Sequence, residues 1–125
     1  MAQKWGAAVP LSEHEQRILA ELEESLVRHD PRFAERLAAY RDLRERRLVV
    51  KTGFKYGAHF RAYPRNPEHA HARYLVQALP ERHVATWPEV AGAVRVAQGV
   101  RKEFLVASVS AGDAVRFLSL ERIRP

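Results

Sequence analysis

The hydrophobic period of this chain changes near Arg46, and that change limits the folds open to it. Before it, Ile18, Leu19, Leu22, Leu26 and Val27 recur at helical spacing. Phe33, Leu37, Tyr40 and Leu43 then form a second stripe with Ala34 on its flank. Intervals of three and four residues put apolar groups on one side of an α-helix. Ser12 with Glu15 has the pattern of a capping box, in which hydroxyl and carboxylate take up free N–H groups at a helix start. Asp30-Pro31 restarts the pattern, with Asp as N-cap and Pro at the first helical position. The region up to Arg46 is expected to be a helical hairpin.

Beyond Arg46 the apolar runs are short and bounded by turn formers, as strands are. Leu48-Val49-Val50 reads as a strand broken at Thr52-Gly53, and Ala58 to Tyr63 as a second. Pro64-Arg65-Asn66-Pro67 ends it, because proline lacks the N–H a ladder needs. A third strand is expected from Arg73 to Ala78, closed by Pro80. Thr86 with Glu89 repeats the capping-box pattern around Pro88. The helix it starts carries Val90, Val94, Ala97 and Val100 on one face. Phe104 to Val109 is a strand, Ala111-Gly112-Asp113 a hairpin turn, and Ala114 to Ile123 the last strand. The predicted order is ααβββαββ, an α+β fold in which a helical hairpin leads into a mixed sheet with a packed helix. The expected division is a helical lead-in at 1–46 and a second unit at 47–125.

A chain of 125 residues is the size of one domain, and its 46% apolar content is enough for a core. The net charge of +6 attracts polyanions, without choosing between nucleic acid and an acidic membrane surface. With no cysteine, disulfide and thiolate chemistry are excluded. No apolar stretch is long enough to span a bilayer, and Met1–Pro10 lacks the apolar run of a secretory signal, so no membrane partner and a cytoplasmic setting are expected.

Residues able to act on a phosphodiester stand at the edges of the predicted elements. Cleaving RNA without a metal needs a base for the ribose 2′-OH, an acid for the 5′ leaving oxygen, and a cation for the charge of the transition state. Tyr63 ends a strand, His71 enters the next one after the proline turn, and Lys102 lies between helix and strand. The plain alternatives are a half-buried strand aromatic for Tyr63 and a solvated lysine for Lys102. His69 and His71, two apart, would share a strand face and could hold a metal, but no third ligand cluster stands out, so no metal or cofactor is expected. His59 reads as a sheet-surface residue, and His14, His29 and His83 as solvated.

Four segments carry a family resemblance. Lys51-Thr52-Gly53-Phe54-Lys55-Tyr56-Gly57-Ala58-His59-Phe60-Arg61-Ala62-Tyr63 resembles the strand-turn-strand signature of tRNA-splicing endonuclease catalytic domains, archaeal ones especially. His71-Ala72-Arg73-Tyr74-Leu75-Val76 resembles the histidine-plus-strand motif of that family, and Arg95-Val96-Ala97-Gln98-Gly99-Val100-Arg101-Lys102 its helix-plus-lysine motif. Tyr40-Arg41-Asp42-Leu43-Arg44-Glu45-Arg46 looks like the helix leading into the domain. Together they cover roughly Asp30 to the C-terminus in the family's order.

The resemblance implies a restriction-endonuclease-like tRNA-intron endonuclease fold, with Tyr63 as general base, His71 as general acid and Lys102 as transition-state cation. It implies precursor tRNA as substrate, cut at exon–intron junctions in a bulge–helix–bulge, with 2′,3′-cyclic phosphate and 5′-hydroxyl ends and no metal. It also implies arginines that sandwich a flipped bulge base by cation–π stacking, falling on Arg95 and more loosely on Arg116. Asp113 resembles an acidic loop residue that docks on an opposing subunit. For Arg95 the plain reading is a salt-bridging helix arginine, and for Asp113 an ordinary turn aspartate. A homo-oligomer (dimer or tetramer), or assembly with a structural partner subunit, is expected, with Val115, Phe117, Leu118, Leu120 and Ile123 available for pairing. The alternative reading is a non-catalytic structural or RNA-binding subunit. A small basic DNA-binding module leaves the tyrosine, histidine and lysine unexplained.

Overall fold

The computed structural model describes residues 11–27, 32–64 and 72–123, with the side chains of 25–27 and 32 also outside the description. Helices α1 (Glu13–Val27) and α2 (Arg32–Glu45) precede strands β1 (Val49–Thr52), β2 (Phe60–Tyr63) and β3 (Tyr74–Pro80). Helix α3 (Trp87–Gly99) then leads to β4 (Glu103–Val109) and β5 (Val115–Leu120). The order ααβββαββ is the expected one, and the fold is α+β. The five strands lie in chain order in one sheet, antiparallel except for β3 and β4, which α3 joins as a parallel crossover.

Local chemistry explains the element ends. Ser12 N–H donates to Glu15 Oε1 and Glu15 N–H to Ser12 Oγ, which closes the capping box of α1. Thr86 and Glu89 make the same reciprocal pair at the start of α3. The Asp30-Pro31 restart lies outside the described residues. Strand β1 begins at Val49, one residue later than expected, because Arg47 takes a left-handed φ of 65° and Leu48 N–H donates to Leu43 O, which leaves Leu48 in the helix exit. Strand β2 starts at Phe60 rather than Ala58, since the chain turns back through a 3-10 turn (Phe54–Tyr56) and a left-handed Gly57. Gly53 is needed at the base of that turn: a Cβ there would lie 2.8 Å from the Phe60 carbonyl oxygen.

Strand faces alternate, so each side of the sheet receives its own layer. One buried cluster joins Ile18 and Leu22 of α1, Leu37, Tyr40 and Leu43 of α2, and Val50, Phe60, Ala62, Val76, Ala78 and Ala107 of the sheet. On the other face Leu75 and Phe104 pack with Val94 and Ala97 of α3 and with Ala58, flanked by Tyr56, Val90 and Leu120. Val100, expected on the apolar face of α3, is instead exposed, because the helix ends at Gly99 and the chain turns away at a left-handed Arg101.

A buried ion pair fastens the helices to the first strand. Arg44 Nη1 donates to Glu15 Oε2 at 2.8 Å with both side chains 1% exposed, and Val50 N–H donates to the same oxygen at 3.0 Å. One residue earlier, His14 Nε2 accepts from Thr52 N–H at 3.0 Å. His14 is therefore no solvated residue, contrary to the sequence expectation. It is half-buried, with its pKa lowered by burial and then by the Lys51 charge, which keeps the ring neutral and able to accept. The first turn of α1 thus takes up two outward N–H groups of edge strand β1. At the other edge β5 has only β4 beside it among the described residues.

Removing one partner of a buried ion pair leaves the other charge without compensation. Glu15→Ala and Arg44→Ala should each lower stability by about 3–5 kcal/mol in urea unfolding. Asp42→Ala, which cuts the exposed Arg46–Asp42 pair, should change it by less than about 1 kcal/mol.

Candidate active site at one end of the sheet

The antiparallel and parallel registers decide which chain ends meet. Tyr63, last in β2, pairs with Val49, first in β1. Arg73 N–H donates to Ala62 O at 3.0 Å, and Glu103 N–H to Arg73 O at 2.8 Å, so the end of β2 and the starts of β3 and β4 lie in one row. Tyr63, Ala72 and Val49 form a small buried cluster in that row. Lys102, immediately before β4, belongs to the same row, and its N–H donates to Ala97 O at 2.8 Å.

Face follows from register as well. Arg61, Leu75, Phe104 and Leu120 stand across from one another on successive strands, and the last three pack on the α3 side. Tyr63, two residues beyond Arg61, therefore stands on the α3 face. The Lys102 ammonium lies 5.6 Å from the centre of the Tyr56 ring, which packs against the α3-side cluster, so it too is on that face. Two strand spacings, roughly 10 Å, separate β2 from β4. Tyr63 and Lys102, 39 positions apart, are thus brought to one end and one face.

Tyr63 is buried, and the Lys51 ammonium lies 5.9 Å from its ring centre. Arg61, on the same face, has its Nε donating to Thr52 O at 2.7 Å. His71 and His69 lie outside the described residues. Ala72, the neighbour of residue 71, is the one buried against Tyr63.

The remaining candidates stand elsewhere. Arg95 is an exposed residue of α3. Arg116 is exposed on β5 and pairs with Ser108, toward the sheet end opposite Tyr63. Asp113 is exposed in the turn before β5 with a left-handed φ of 63°, its N–H donating to Ser110 O. It borders a recess shared with Arg41, Asp42 and Glu45. None of these three sits in the row that holds Tyr63 and Lys102.

Against this geometry, residues 33–117 match the family model for the tRNA intron endonuclease catalytic C-terminal domain. The chain belongs to that family. It is similar to a protein named tRNA-splicing endonuclease from Natronomonas pharaonis, with 45% identity over 97 residues, covering 75% of this chain and 29% of the relative. A protein of the same name from Methanococcus maripaludis shares 42% over 92 residues, 73% of this chain and 52% of the relative. One from Methanopyrus kandleri shares 43% over 83 residues, 66% of this chain and 46% of the relative. The chain spans about half the length, or less, of these relatives. Among the described residues, no helix is long and apolar enough to cross a membrane.

Sequence reasoning passed over Tyr56 and Lys51, although both fall inside the 51–63 motif. Tyr56 meets Lys102 across 46 positions, a contact that no local pattern announces. His59, expected at the sheet surface, is half-buried with Nδ1 accepting from Ala78 N–H at 2.9 Å. The neutral ring then carries its hydrogen on Nε2. The Gln77 side-chain nitrogen is placed 3.3 Å from Nε2, while no donor among the described residues reaches Gln77 Oε1. Turning that amide over makes Oε1 the acceptor of His59 Nε2–H.

Burial, and then the Arg36 charge, push the His59 pKa down from 6.5 to about 4. The unfolded chain takes up the proton near 6.5, whereas the folded ring resists until about 4, so stability present above 6.5 is lost as the pH falls through that window. His59→Asn keeps an acceptor at the Nδ1 position but cannot titrate. Between pH 7 and pH 4 the wild type should lose about 2 kcal/mol more than this variant in urea unfolding, allowing for water at the open side of the ring. Parallel pH curves for the two would remove His59 as the source.

Proposed function

We propose that this domain cleaves precursor tRNA at exon–intron junctions within a bulge–helix–bulge, without a metal. The phenol of Tyr63 accepts the proton of the ribose 2′-OH, and the 2′ oxygen attacks the adjacent phosphorus. His71 protonates the departing 5′ oxygen, and the Lys102 ammonium offsets the extra negative charge on the phosphoryl oxygens. The products carry a 2′,3′-cyclic phosphate and a 5′-hydroxyl. The observation that carries this reading is the arrival of Tyr63 and Lys102 at one end and one face of the sheet, with the residue following His71 packed on Tyr63.

The surroundings favour an RNA ligand. The net charge is +6, and Lys51, Arg61 and Lys102 share the site face, where a phosphate backbone would gain from each cation. Bulged nucleotides are unstacked and can be gripped one at a time, whereas paired A-form RNA hides its base edges. Arg95 and Arg116 stand away from the Tyr63–Lys102 row, which suits arginines that clamp a bulge base in the site of another subunit rather than their own. Asp113, displayed by a left-handed turn, docks on a neighbouring subunit. The open β5 edge, with Leu118 46% exposed on it and Ile123 77% exposed beyond its end, serves a homo-oligomer or a structural partner subunit.

The test is incubation of the purified protein with a bulge–helix–bulge precursor tRNA in EDTA. Cleavage to cyclic-phosphate ends is expected, and its loss in chelator would refute the metal-free scheme. His71→Ala should slow single-turnover cleavage by about 10²–10⁴-fold with RNA affinity nearly unchanged. Undiminished cleavage by that variant would remove His71 from the acid's role. RNA binding without cleavage by the wild-type protein would instead identify a non-catalytic subunit.

A further inference from the structure

The Lys102 ammonium rests on an aromatic ring supplied by a different part of the fold. Its Nζ lies 5.6 Å from the Tyr56 ring centre, within the reach of a cation–π contact. Tyr56 is half-buried, and its ring packs against the cluster of Ala58, Leu75, Val94, Ala97 and Phe104. The turn that presents it is tightly determined. Tyr56 N–H donates to Gly53 O at 2.8 Å, Ala58 N–H donates to the same oxygen at 3.2 Å, and Gly57 supplies the left-handed residue between them.

The other end of Lys102 is fixed independently. Arg101 takes a left-handed φ of 57° and Lys102 N–H donates to Ala97 O at 2.8 Å, which sets where the side chain leaves the backbone. Four flexible bonds would still let an unrestrained ammonium sweep a wide volume. Among the described residues no carboxylate pairs with Lys102. A carboxylate would also hold it, but it would neutralise the charge that a phosphate needs. A ring face restrains the ammonium while leaving its charge whole and most of its N–H donors free. The Lys55 ammonium, 5.7 Å from the same ring centre, belongs to an exposed side chain, whereas Lys102 is half-buried.

We infer that Tyr56 is a positioning residue for the cleavage reaction, holding the Lys102 ammonium at the phosphate through its ring face. This rests on the role given to Lys102 above. The ring, not the hydroxyl, does the work, so Tyr56→Phe should behave as wild type. Tyr56→Leu keeps an apolar filler in the α3-side cluster but removes the π face.

In single-turnover cleavage of a bulge–helix–bulge RNA, Tyr56→Leu should slow the rate about 3- to 30-fold with RNA affinity unchanged. In a Lys102→Ala background the same change should cost nothing further, as coupling through one contact requires. A wild-type rate for Tyr56→Leu, or an equal slowing with and without Lys102, would overturn the inference. A readout independent of activity uses the Lys102 ε-methylene NMR signal of the isotopically labelled full chain. Ring current should move it upfield in wild type and Tyr56→Phe, with the shift lost in Tyr56→Leu. An unshifted signal in wild type overturns the contact itself. If the signal behaves as expected but Lys102→Ala cleaves at the wild-type rate, the role of Lys102 fails instead, and the positioning role with it.

Discussion

A single carboxylate organises the junction between the helical hairpin and the sheet. Glu15 caps its own helix with one oxygen and with the other accepts from Arg44 of α2 and from the backbone of β1. A buried charge is tolerable only when its lone pairs are taken up, and here three donors from three segments do so. Tyr40 adds its hydroxyl to Glu15 O, and burial, reinforced by the Glu15 carboxylate, pushes that phenol well above its ordinary pKa, so it stays a neutral donor. The helices therefore fix the height and angle of β1, and through it the register that carries Tyr63 to its place beside Val49.

The site follows from where chain segments stop. Strand β2 ends, and β3 and β4 begin, along one line of backbone hydrogen bonds. Alternation then sends Tyr63 to the side on which α3 lies, and the short exit from α3 delivers Lys102 to that same side. Tyr63 and Lys102 come together without a long loop between them and the elements they flank. Both stand at the ends of strands, where orientation is set by the sheet.

Much of this was legible in the sequence because the governing interactions are local. Both capping boxes, Ser12 with Glu15 and Thr86 with Glu89, were readable from spacing and are formed. The order of elements was readable because period and proline punctuation are properties of neighbouring residues. The starts of β1 and β2 shifted by one or two residues where a left-handed Arg47 or Gly57 intervened, and the last strand stops at Leu120 rather than the expected Ile123. What stayed hidden is long-range and polar. His14 was read as solvated, yet it accepts from Thr52 across 38 positions. Tyr56 was one letter within a motif until Lys102 was found against its ring. Glu15 was legible as a helix cap but not as the partner of Arg44. Nothing in the spacing of two charges 29 positions apart announces a buried pair.

The two margins of the sheet are unequal. On the β1 side, histidine and glutamate side chains occupy the amides that a visiting strand would seek. On the β5 side no such stopper exists among the described residues. A sheet with one occupied and one open margin can take on a further strand at the open side alone. Were two copies to pair through β5, each would turn its occupied β1 margin to the solution.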